Sequence, residues 1–435
     1  MRVLALATSY PKGPEDSTAP FVRSISRGLA GHGAEVDVLL PHHPDLSWNG
    51  ADPPIRIHTF RYLPGESPGH HLWGYAGALK ADVSVRGAAW GMAPLALAAT
   101  LVRLASLARS LRPDVIHAHW LLPSGPPAVM VGRHLGIPVV TSLHGSGAFL
   151  AESRGVLGKA AGYALVGSAA VTACSGDLSL RAQRLGARPA QCVVIPYGVD
   201  PDGFRPLDTH ARRELRDRLG IPSGAILILA VGRLVEKKGF RYLQEAFGRA
   251  FPGLGRGGSD SRGAREDPGP AQGLEASTPL LWIAGSGDLE ADLEARSGEL
   301  GLGERFRLLG NVNRAEVREL YQAADILAVP SVRDSAGNVD GLPNVLMEGL
   351  ASGMAVVASR VAGIPDVLVD GENGLLVAEK DPAALAEALR RLAADRELRG
   401  RLGDGARALV QERLSWEVVS HRYFKVLAGA AREEP

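Results

Sequence analysis

The chain has 435 residues, of which 46% are hydrophobic, and a formal net charge of +1. This length predicts two or three domains, and the composition is typical of a soluble globular protein. The nearly balanced charge argues against nucleic acid or an acidic polymer as a partner. The two cysteines, Cys174 and Cys192, are too few for a disulfide framework, which indicates a reducing, cytoplasmic compartment.

Short apolar runs alternate with helical patterns along the first half of the chain. The N-terminal run is too short for a signal peptide and is interpreted as a first buried strand. Because the runs are β-branched without polar alternation, they predict strands buried on both faces, in parallel sheets covered by helices. The predicted strands are Val3–Thr8, Glu35–Leu40, Ile55–Phe60, Val115–His119, Val139–Leu143, Val171–Cys174 and Val193–Ile195, with helices at Phe21–Ala30 and Leu95–Leu111.

The stretch 87–102 carries no charge and lies between Arg86 and Arg103. It falls short of the roughly 18 residues needed to span a bilayer, so we do not expect it to cross a membrane. Two interpretations remain open for this stretch. It is either a core helix or an amphipathic helix that contacts the inner membrane face reversibly through its apolar side and flanking cations.

Histidines lie at the ends of two predicted strands. His144 follows the strand Val139–Leu143, at the carboxyl edge where α/β sheets present ligand-binding groups. His117 and His119 share one face of the preceding strand, as a metal pair would, but no third ligand is evident. We therefore expect His119 and Trp120 either to line the acceptor side of a cleft or simply to pack in the core.

The segment 195–204 contains a cluster of turn residues after a strand and predicts a domain boundary. We expect a first domain over residues 1–200, completed by a C-terminal helix over 415–435, and a second domain over 201–414. Asp200-Pro201-Asp202 forms an Asp-x-Asp triplet that could suggest a metal site, but its position in a linker makes an ordinary turn the better interpretation.

The second half repeats the alternation of strands and helices. Two doubly wound α/β units facing each other across a cleft are the expected result. An insertion over residues 252–279 is rich in Gly, Arg, Asp, Ser and Pro and is expected to be a mobile loop. The predicted strands are Ile226–Val231, Leu280–Ala284, Phe306–Leu308, Ile326–Val329, Ala355–Ala358 and Leu375–Val377. The predicted helices are Phe240–Phe251, Leu289–Gly298, Arg314–Ala324 and Pro382–Ala393, the last capped by Asp381.

A basic turn and a pair of acidic residues are the strongest indications of function in the sequence. The turn after Gly232 bears Arg233 and Lys238, and fixed cations at this point would stabilise the charge that grows on a departing nucleoside diphosphate. About 110 residues downstream, Asp340 lies on a loop and Glu348 on the helix behind it. Two such carboxylates can hold two ends of one polar ligand, and a helix-borne carboxylate such as that of Glu348 can accept two vicinal ribose hydroxyls.

These motifs resemble those of glycosyltransferase family 4, a family of retaining nucleotide-sugar enzymes with the GT-B fold. The resemblance extends over nearly the whole chain, including the final helix after Leu414. It assigns Arg233 and Lys238 to the donor β-phosphate and His144 to the donor sugar near the reacting carbon. Lys237 does not align with the motif and is expected in solvent.

Further donor contacts follow from the same resemblance. Asp340 should face the sugar and diphosphate, and Glu348 the ribose. Backbone groups should contact the nucleotide, its base or the diphosphate at Gly232, Gly285, Gly287, Asn311, Val312, Gly341, Leu342, Pro343, Asn344 and Val345.

The chain departs from the family pattern at three places. Asp340 replaces the commoner Glu, Tyr197 replaces the usual Asn of an "IPNGVD" segment, and the first loop offers only Gly13 where many relatives have a Gly-Gly turn. Because Asp is one methylene shorter than Glu, a shift of the loop or a different contact with the sugar hydroxyls would compensate at Asp340. We expect the first loop, with Gly13, to shape the acceptor pocket.

The resemblance implies transfer of a sugar from a UDP- or GDP-sugar to a hydroxyl of a glycan, glycolipid or small-molecule acceptor, with retention of anomeric configuration. No cofactor or metal is expected, because Arg233, Lys238 and a helix dipole supply the positive charge. Two other functions stay open: a nucleotide-sugar epimerase of the same architecture, and a non-catalytic nucleotide-sugar-binding protein in which Asp340 marks lost activity.

Overall fold

The computed structural model describes residues 1–14, 16, 18–48, 51–63, 75, 79–80, 84–85, 87–152, 155–252 and 278–432. The chain divides into two compact units, one formed by Met1–Gly198 with Trp416–Pro435 and the other by Val199–Ser415. The predicted insertion 252–279 lies outside the described residues except at its ends, and Arg86 lies outside them as well.

The first unit contains a large sheet, a small two-stranded sheet and six helices before the domain boundary, counted over the described residues. The large sheet consists of β1 (Arg2–Leu6), β2 (Glu35–Pro41), β3 (Ala51–Asp52), β4 (Ile55–Phe60), β7 (Val115–His119), β8 (Val139–Leu143), β9 (Ala170–Ala173) and β10 (Cys192–Val194), and the small sheet of β5 (Leu79–Lys80) and β6 (Ser84–Val85). The helices are α1 (Pro20–Gly31), α2 (Gly87–Leu111), α3 (Gly125–Leu135), α4 (Ser146–Glu152), α5 (Val156–Gly167) and α6 (Gly176–Arg184).

The large sheet has the order β10-β9-β8-β7-β1-β2-β4-β3, and every pairing is parallel except that of β3 with β4. The central strands are buried along their length, with Val115 and Ile116 at 0% exposure. The sequence-based expectation of parallel strands buried on both faces is therefore confirmed, and its cause is the unbroken apolar character of these runs.

The second unit contains a six-stranded parallel sheet in the order β13-β12-β11-β14-β15-β16. Its strands are β11 (Ile226–Val231), β12 (Pro279–Ala284), β13 (Phe306–Leu308), β14 (Ile326–Val329), β15 (Ala355–Ser359) and β16 (Leu375–Val377). Its helices are α7 (Thr209–Arg218), α8 (Phe240–Ala250), α9 (Glu290–Glu299), α10 (Arg314–Ala323), α11 (Asn344–Ala351), α12 (Pro382–Ala394) and α13 (Arg396–Leu409). Asp381 caps α12 through the amides of Ala383 and Ala384, as predicted.

The last helix, α14 (Trp416–Ala430), returns to the first unit and packs against α1. Its buried side chains Val419, Tyr423 and Leu427 join the core cluster that also contains Val3 and Val115 of the sheet. On the other face of this sheet, α2 packs against α3, and α3 against α5. The first unit is thus a sheet between two helical layers.

Helix α2 differs from the expectation for stretch 87–102. It has 25 residues, because the helix begins before Pro94 and continues past Arg103 to Leu111. Among the described residues, Gly91–Leu111 is the segment long and apolar enough to cross a membrane, although 22% of its most apolar window is buried in the protein. The helix is therefore longer than the uncharged stretch considered in the sequence, and the expectation that it does not cross a membrane stays a prediction.

Candidate functional site

In the second unit, the loops that follow β11 and β14 meet at the carboxyl edge of the sheet. The chain leaves β11 toward β12 on one side, and β14 lies on the other side, so this edge is the switch point where open α/β sheets bind ligands. The amide of Val332 donates to the carbonyl oxygen of Lys237 at 2.9 Å, and the Ser335 hydroxyl donates to Glu236 at 3.0 Å. These bonds fix the basic turn to the loop that carries Asp340.

Asp340 forms ion pairs with both lysines of the basic turn. Its Oδ1 lies 2.9 Å from Nζ of Lys237, and its Oδ2 lies 2.6 Å from Nζ of Lys238. Burial would raise the pKa of the Asp340 carboxyl, but the two ammonium groups outweigh that effect and hold the pKa well below its usual range. Asp340 is therefore ionised at physiological pH.

Lys237 corrects one sequence-based expectation. The side chain was expected in solvent, yet it is buried, because its ammonium group reaches the Asp340 carboxylate. Asp340 is 103 residues away from Lys237 in the chain, so the alignment of a local motif gives no information about this contact. The site therefore contains a second lysine, which motif comparison missed.

Three backbone turns come together beside this ion pair. Gly285 has φ 142°, and a Cβ there would lie 1.9 Å from the carbonyl oxygen of Gly232, so only glycine fits. The Gly285 amide donates to the carbonyl oxygen of Gly310 at 2.7 Å, directly before Asn311 and Val312. The Lys238 side chain passes over Gly232, with its Cε 3.1 Å from the position of a Cβ at that glycine.

Other predicted donor residues border the same edge. Gly287 approaches the backbone of Leu234, whose amide donates to the Ser286 carbonyl oxygen at 2.9 Å. Arg233 is exposed on the turn itself, and Asn311 is also exposed. Cationic side chains and backbone groups thus lie together at the carboxyl edge of the second sheet.

Helix α11 begins at Asn344, directly after the loop that contains Asp340. Gly341, Leu342 and Pro343 are buried, and the Gly341 carbonyl oxygen accepts a hydrogen bond from the Gly363 amide at 2.9 Å. No side chain caps this helix among the described residues. The first amides of α11, at Asn344 and Val345, are thus not held by a capping side chain, and such amides favour an anion.

Glu348, one turn into α11, accepts a hydrogen bond from the Tyr321 hydroxyl at 3.0 Å. Burial raises the pKa of Glu348, while Tyr321, Arg314 and Arg318 act in the opposite direction. The second carboxylate oxygen remains for a ligand hydroxyl. Sequence reasoning missed Tyr321, because a tyrosine on an amphipathic helix gives no signal of its own.

In the first unit, His144 is the centre of an aromatic cluster. Its Nδ1 lies 3.0 Å from the Tyr197 hydroxyl, and its Nε2 lies 3.0 Å from Nδ1 of His119. The Phe21 ring packs on the rings of both His144 and Tyr197, with centroids 4.5 and 4.7 Å apart. Trp120 contacts His144 edge to face at 5.3 Å.

The histidines of this cluster are neutral. Burial, with a smaller contribution from His117, lowers the pKa of His144 to about 3, and burial lowers the pKa of His117 to about 3 as well. His117 hydrogen-bonds the Ser142 hydroxyl at 2.7 Å. Trp120 has φ 67°, a strained conformation for a bulky residue that is found preferentially at functional sites.

The structure places Gly13 apart from these contacts. A Cβ at Gly13 would lie 2.8 Å from the Ser47 hydroxyl, and the Gly13 carbonyl oxygen accepts from the Asp16 amide. Phe21 of the aromatic cluster follows this loop in the chain, as the second residue of α1.

The described residues contain no group of three or more His, Cys, Asp or Glu side chains that could hold a metal ion. In the Asp-x-Asp triplet, the Asp200 carboxylate accepts from the Asp202 amide at 3.1 Å. This contact is that of an ordinary turn.

Two family models match the chain. The model described as Glycosyltransferase Family 4 matches residues 19–202, and the model described as Glycosyl transferases group 1 matches residues 225–395. The first match contains the aromatic cluster, and the second contains the basic turn and both carboxylates.

Two curated relatives show what the chain is similar to. A D-inositol 3-phosphate glycosyltransferase of Xylanimonas cellulosilytica is 31% identical over 95% of this chain and 92% of its own length. A putative teichuronic acid biosynthesis glycosyltransferase of Bacillus subtilis is 30% identical over 65% of this chain and 62% of its own.

Among solved structures, Anabaena HepE in complex with UDP has a TM-score of 0.72 at 18% identity, over 99% of this chain and 100% of its own. Further structures of HepE contain UDP with glucose, or UDP-glucose. At this identity the likeness concerns the fold, and it confirms the GT-B fold expected from the sequence.

Proposed function

The chain belongs to glycosyltransferase family 4, and from this premise we propose that it transfers a sugar from a UDP- or GDP-sugar to a hydroxyl of a glycan, glycolipid or small-molecule acceptor, with retention of anomeric configuration. The observation that carries the proposal is the paired contact of Asp340 with Lys237 and Lys238 at the switch point of the second sheet. It holds cations where a diphosphate would bind beside the turns of Gly232 and Gly285.

In the proposed reaction, the bond between the sugar anomeric carbon and the β-phosphate oxygen breaks, and negative charge grows on that oxygen. Arg233 and Lys238 bind the phosphate and stabilise this charge more in the transition state than in the ground state. The amides at the start of α11 contribute in the same sense.

Retention follows if the acceptor hydroxyl attacks from the face that the phosphate leaves. The acceptor oxygen then forms the new bond to the anomeric carbon, and its proton passes to the departing phosphate oxygen. Sequence reasoning found no candidate nucleophilic carboxylate in the first domain, which favours this front-face route over a covalent intermediate. His144, neutral and held by Tyr197 and His119, is proposed to contact the sugar.

Recognition of the nucleoside is assigned to Glu348 and to the backbone of Asn311 and Val312. The carboxylate of Glu348 binds the ribose hydroxyls, with Tyr321 fixing one of its oxygens. Backbone groups contact the edge of the base, and such contacts do not require particular side chains. The sequence therefore leaves both UDP- and GDP-sugars as donors, and the UDP complexes of HepE support UDP as the first to test.

We place the reaction in the cytoplasm and expect it to need no metal, because lysine, arginine and helix amides supply the positive charge. Neither Cys174 nor Cys192 forms a disulfide, which supports a reducing compartment. D-inositol 3-phosphate, named for the Xylanimonas relative, is the first soluble acceptor to test, and an oligosaccharide or lipid-linked sugar is the second, supported by the Bacillus relative.

Incubation with a panel of UDP- and GDP-sugars, with and without acceptor, tests the proposal. Release of nucleoside diphosphate that depends on the acceptor supports transfer. Formation of an epimeric nucleotide sugar without acceptor would instead identify an epimerase. Binding of the donor without turnover against any acceptor would identify a binding protein.

A further inference from the structure

One helical layer of the first unit has an unusually apolar outer surface. The layer consists of α2, α3 and α5, which pack side by side. It carries seven of the nine exposed large hydrophobic side chains of the described residues. These are Leu95, Leu97, Val102, Met130, Val156, Tyr163 and Val166.

The same three helices contain no acidic residue. Their exposed charged side chains are all cationic, whereas the whole chain has nearly equal numbers of acids and bases. An apolar surface mixed with cations complements the hydrocarbon and headgroups of an anionic amphiphile. The cations are Arg103 and Arg109 on α2, Arg133 on α3 and Lys159 on α5.

A cavity of about 220 Å³ lies beneath this layer, between the helices and the carboxyl ends of the first strands. A dry apolar cavity of roughly 150 Å³ is sufficient to bind benzene, so this space is adequate for part of a hydrocarbon chain. Among its lining side chains are Leu6, Phe60, Ala96, Leu97, Pro127 and Leu157.

The cavity reaches both the apolar surface and the neighbourhood of the aromatic cluster. Leu97 and Val156 line it, yet they are 43% and 79% exposed, which places its mouth on the outer layer. Its buried lining includes Leu122 and Ser124, which lie two and four residues after Trp120, whose ring contacts His144. A chain held in the cavity would thus place its polar end close to this cluster.

We propose that the cavity binds the hydrocarbon chain of an anionic amphiphile taken from a lipid surface, on which the α2–α3–α5 layer rests. The role of this amphiphile as the sugar acceptor depends on the proposed function, whereas its binding does not. Helix α2 contacts the bilayer from the side and does not span it, because Leu104, Leu107 and Ala108 are buried within the unit.

Binding of dansyl-labelled undecanoic acid, measured by fluorescence, tests this site on the full-length protein. We expect saturable binding by the wild type. Ala96 is a buried lining residue, so Ala96→Phe fills the space and should weaken binding by at least about tenfold. Ala98, two positions along α2, is exposed and does not line the cavity, so Ala98→Phe should bind as the wild type does.

Thermal unfolding and UDP binding verify that each variant is folded, and Ala93→Leu gives a smaller filling of the cavity if Ala96→Phe does not fold. Absence of saturable binding by the wild type would overturn the proposal, as would equal binding by the wild type and a folded cavity-filling variant. A failure of the proposed function is seen separately, as absence of donor turnover in a protein that still binds the probe.

Discussion

The ammonium group of Lys238 lies 2.6 Å from the carboxylate of Asp340, and the same carboxylate holds Lys237 at 2.9 Å. The shorter aspartate, found where the family more often has glutamate, therefore still reaches the basic turn. The two lysines and Asp340 together carry one net positive charge. Arg233 and Glu236, on the same turn, add one charge of each sign. This arrangement orients Lys238 before a phosphate arrives, so that little reorganisation is needed during the reaction.

Loss of either proposed phosphate ligand should impair catalysis. Arg233→Ala and Lys238→Ala are each expected to lower kcat by about 10²-fold or more, the scale for losing one donor to a transition-state charge. Lys237 still pairs with Asp340 in Lys238→Ala, so the fold should persist. Steady-state kinetics measure the effect, with Arg401→Ala as an exposed arginine control. Near-normal kcat in both variants would remove the phosphate assignment.

The Asp340 ion pairs should make stability depend on pH. The pKa of Asp340 is lowered in the folded protein, so its contribution is present above the unfolded pKa of about 3.9 and is lost as pH falls toward the folded pKa. Asp340→Asn should therefore destabilise the protein at pH 7, and its difference from the wild type should shrink below about pH 4.

Urea unfolding at several pH values measures this difference for Asp340→Asn. Asp404 is exposed, and Asp404→Asn serves as the control that should be nearly neutral throughout. A difference between Asp340→Asn and the wild type that stays constant down to pH 3 would contradict the ion-pair account.

Tyr197 should position His144 through its hydroxyl. Tyr197→Phe keeps the ring that stacks on Phe21 but removes the bond to Nδ1 of His144. We expect kcat to fall by about 2- to 10-fold, the effect of one hydrogen bond, with the KM for the donor nearly unchanged. Tyr163→Phe removes an exposed hydroxyl in the same unit as control. Equal kcat in the two variants would be inconsistent with a positioning role for Tyr197.

The α2–α3–α5 layer should attach the protein to anionic membranes. In flotation with phosphatidylglycerol vesicles at low salt, Lys159→Glu should weaken binding by at least about fivefold, since each cation near such a surface contributes about 1 kcal/mol. Lys425→Glu makes the same change at an exposed position on α14, on the other side of the sheet, and should bind as the wild type. No flotation of the wild type, or equal loss in both variants, would refute the attachment.

Much of the fold could be read from the sequence because its strands are unbroken apolar runs. Strands such as Val115–His119 and Ile226–Val231 have the predicted bounds, since Pro113 and Asp114 precede the first and Gly232 follows the second. The two ends of helix α2 were harder to predict, because apolar residues extend on both sides of Pro94 and beyond Arg103.

Residues of the site could be predicted from the sequence only where they belong to a short, recognisable motif. Asp340 and Lys238 belong to recognisable segments, whereas the burial of Lys237 and the contacts of Tyr321 and Phe21 depend on partners distant in the chain. Tyr197 was visible as a departure from the family segment, but its bond to His144 was not, because two separate strands bring these residues together.

Proton NMR of the reaction product tests the central claim most directly. A UDP- or GDP-sugar and an acceptor are incubated with the protein in EDTA, and the anomeric coupling of the product is compared with that of the donor. The account predicts a new glycoside with the anomeric configuration of the donor, formed without added metal. An inverted glycoside, an epimerised nucleotide sugar, or transfer that requires Mn²⁺ or Mg²⁺ would contradict it.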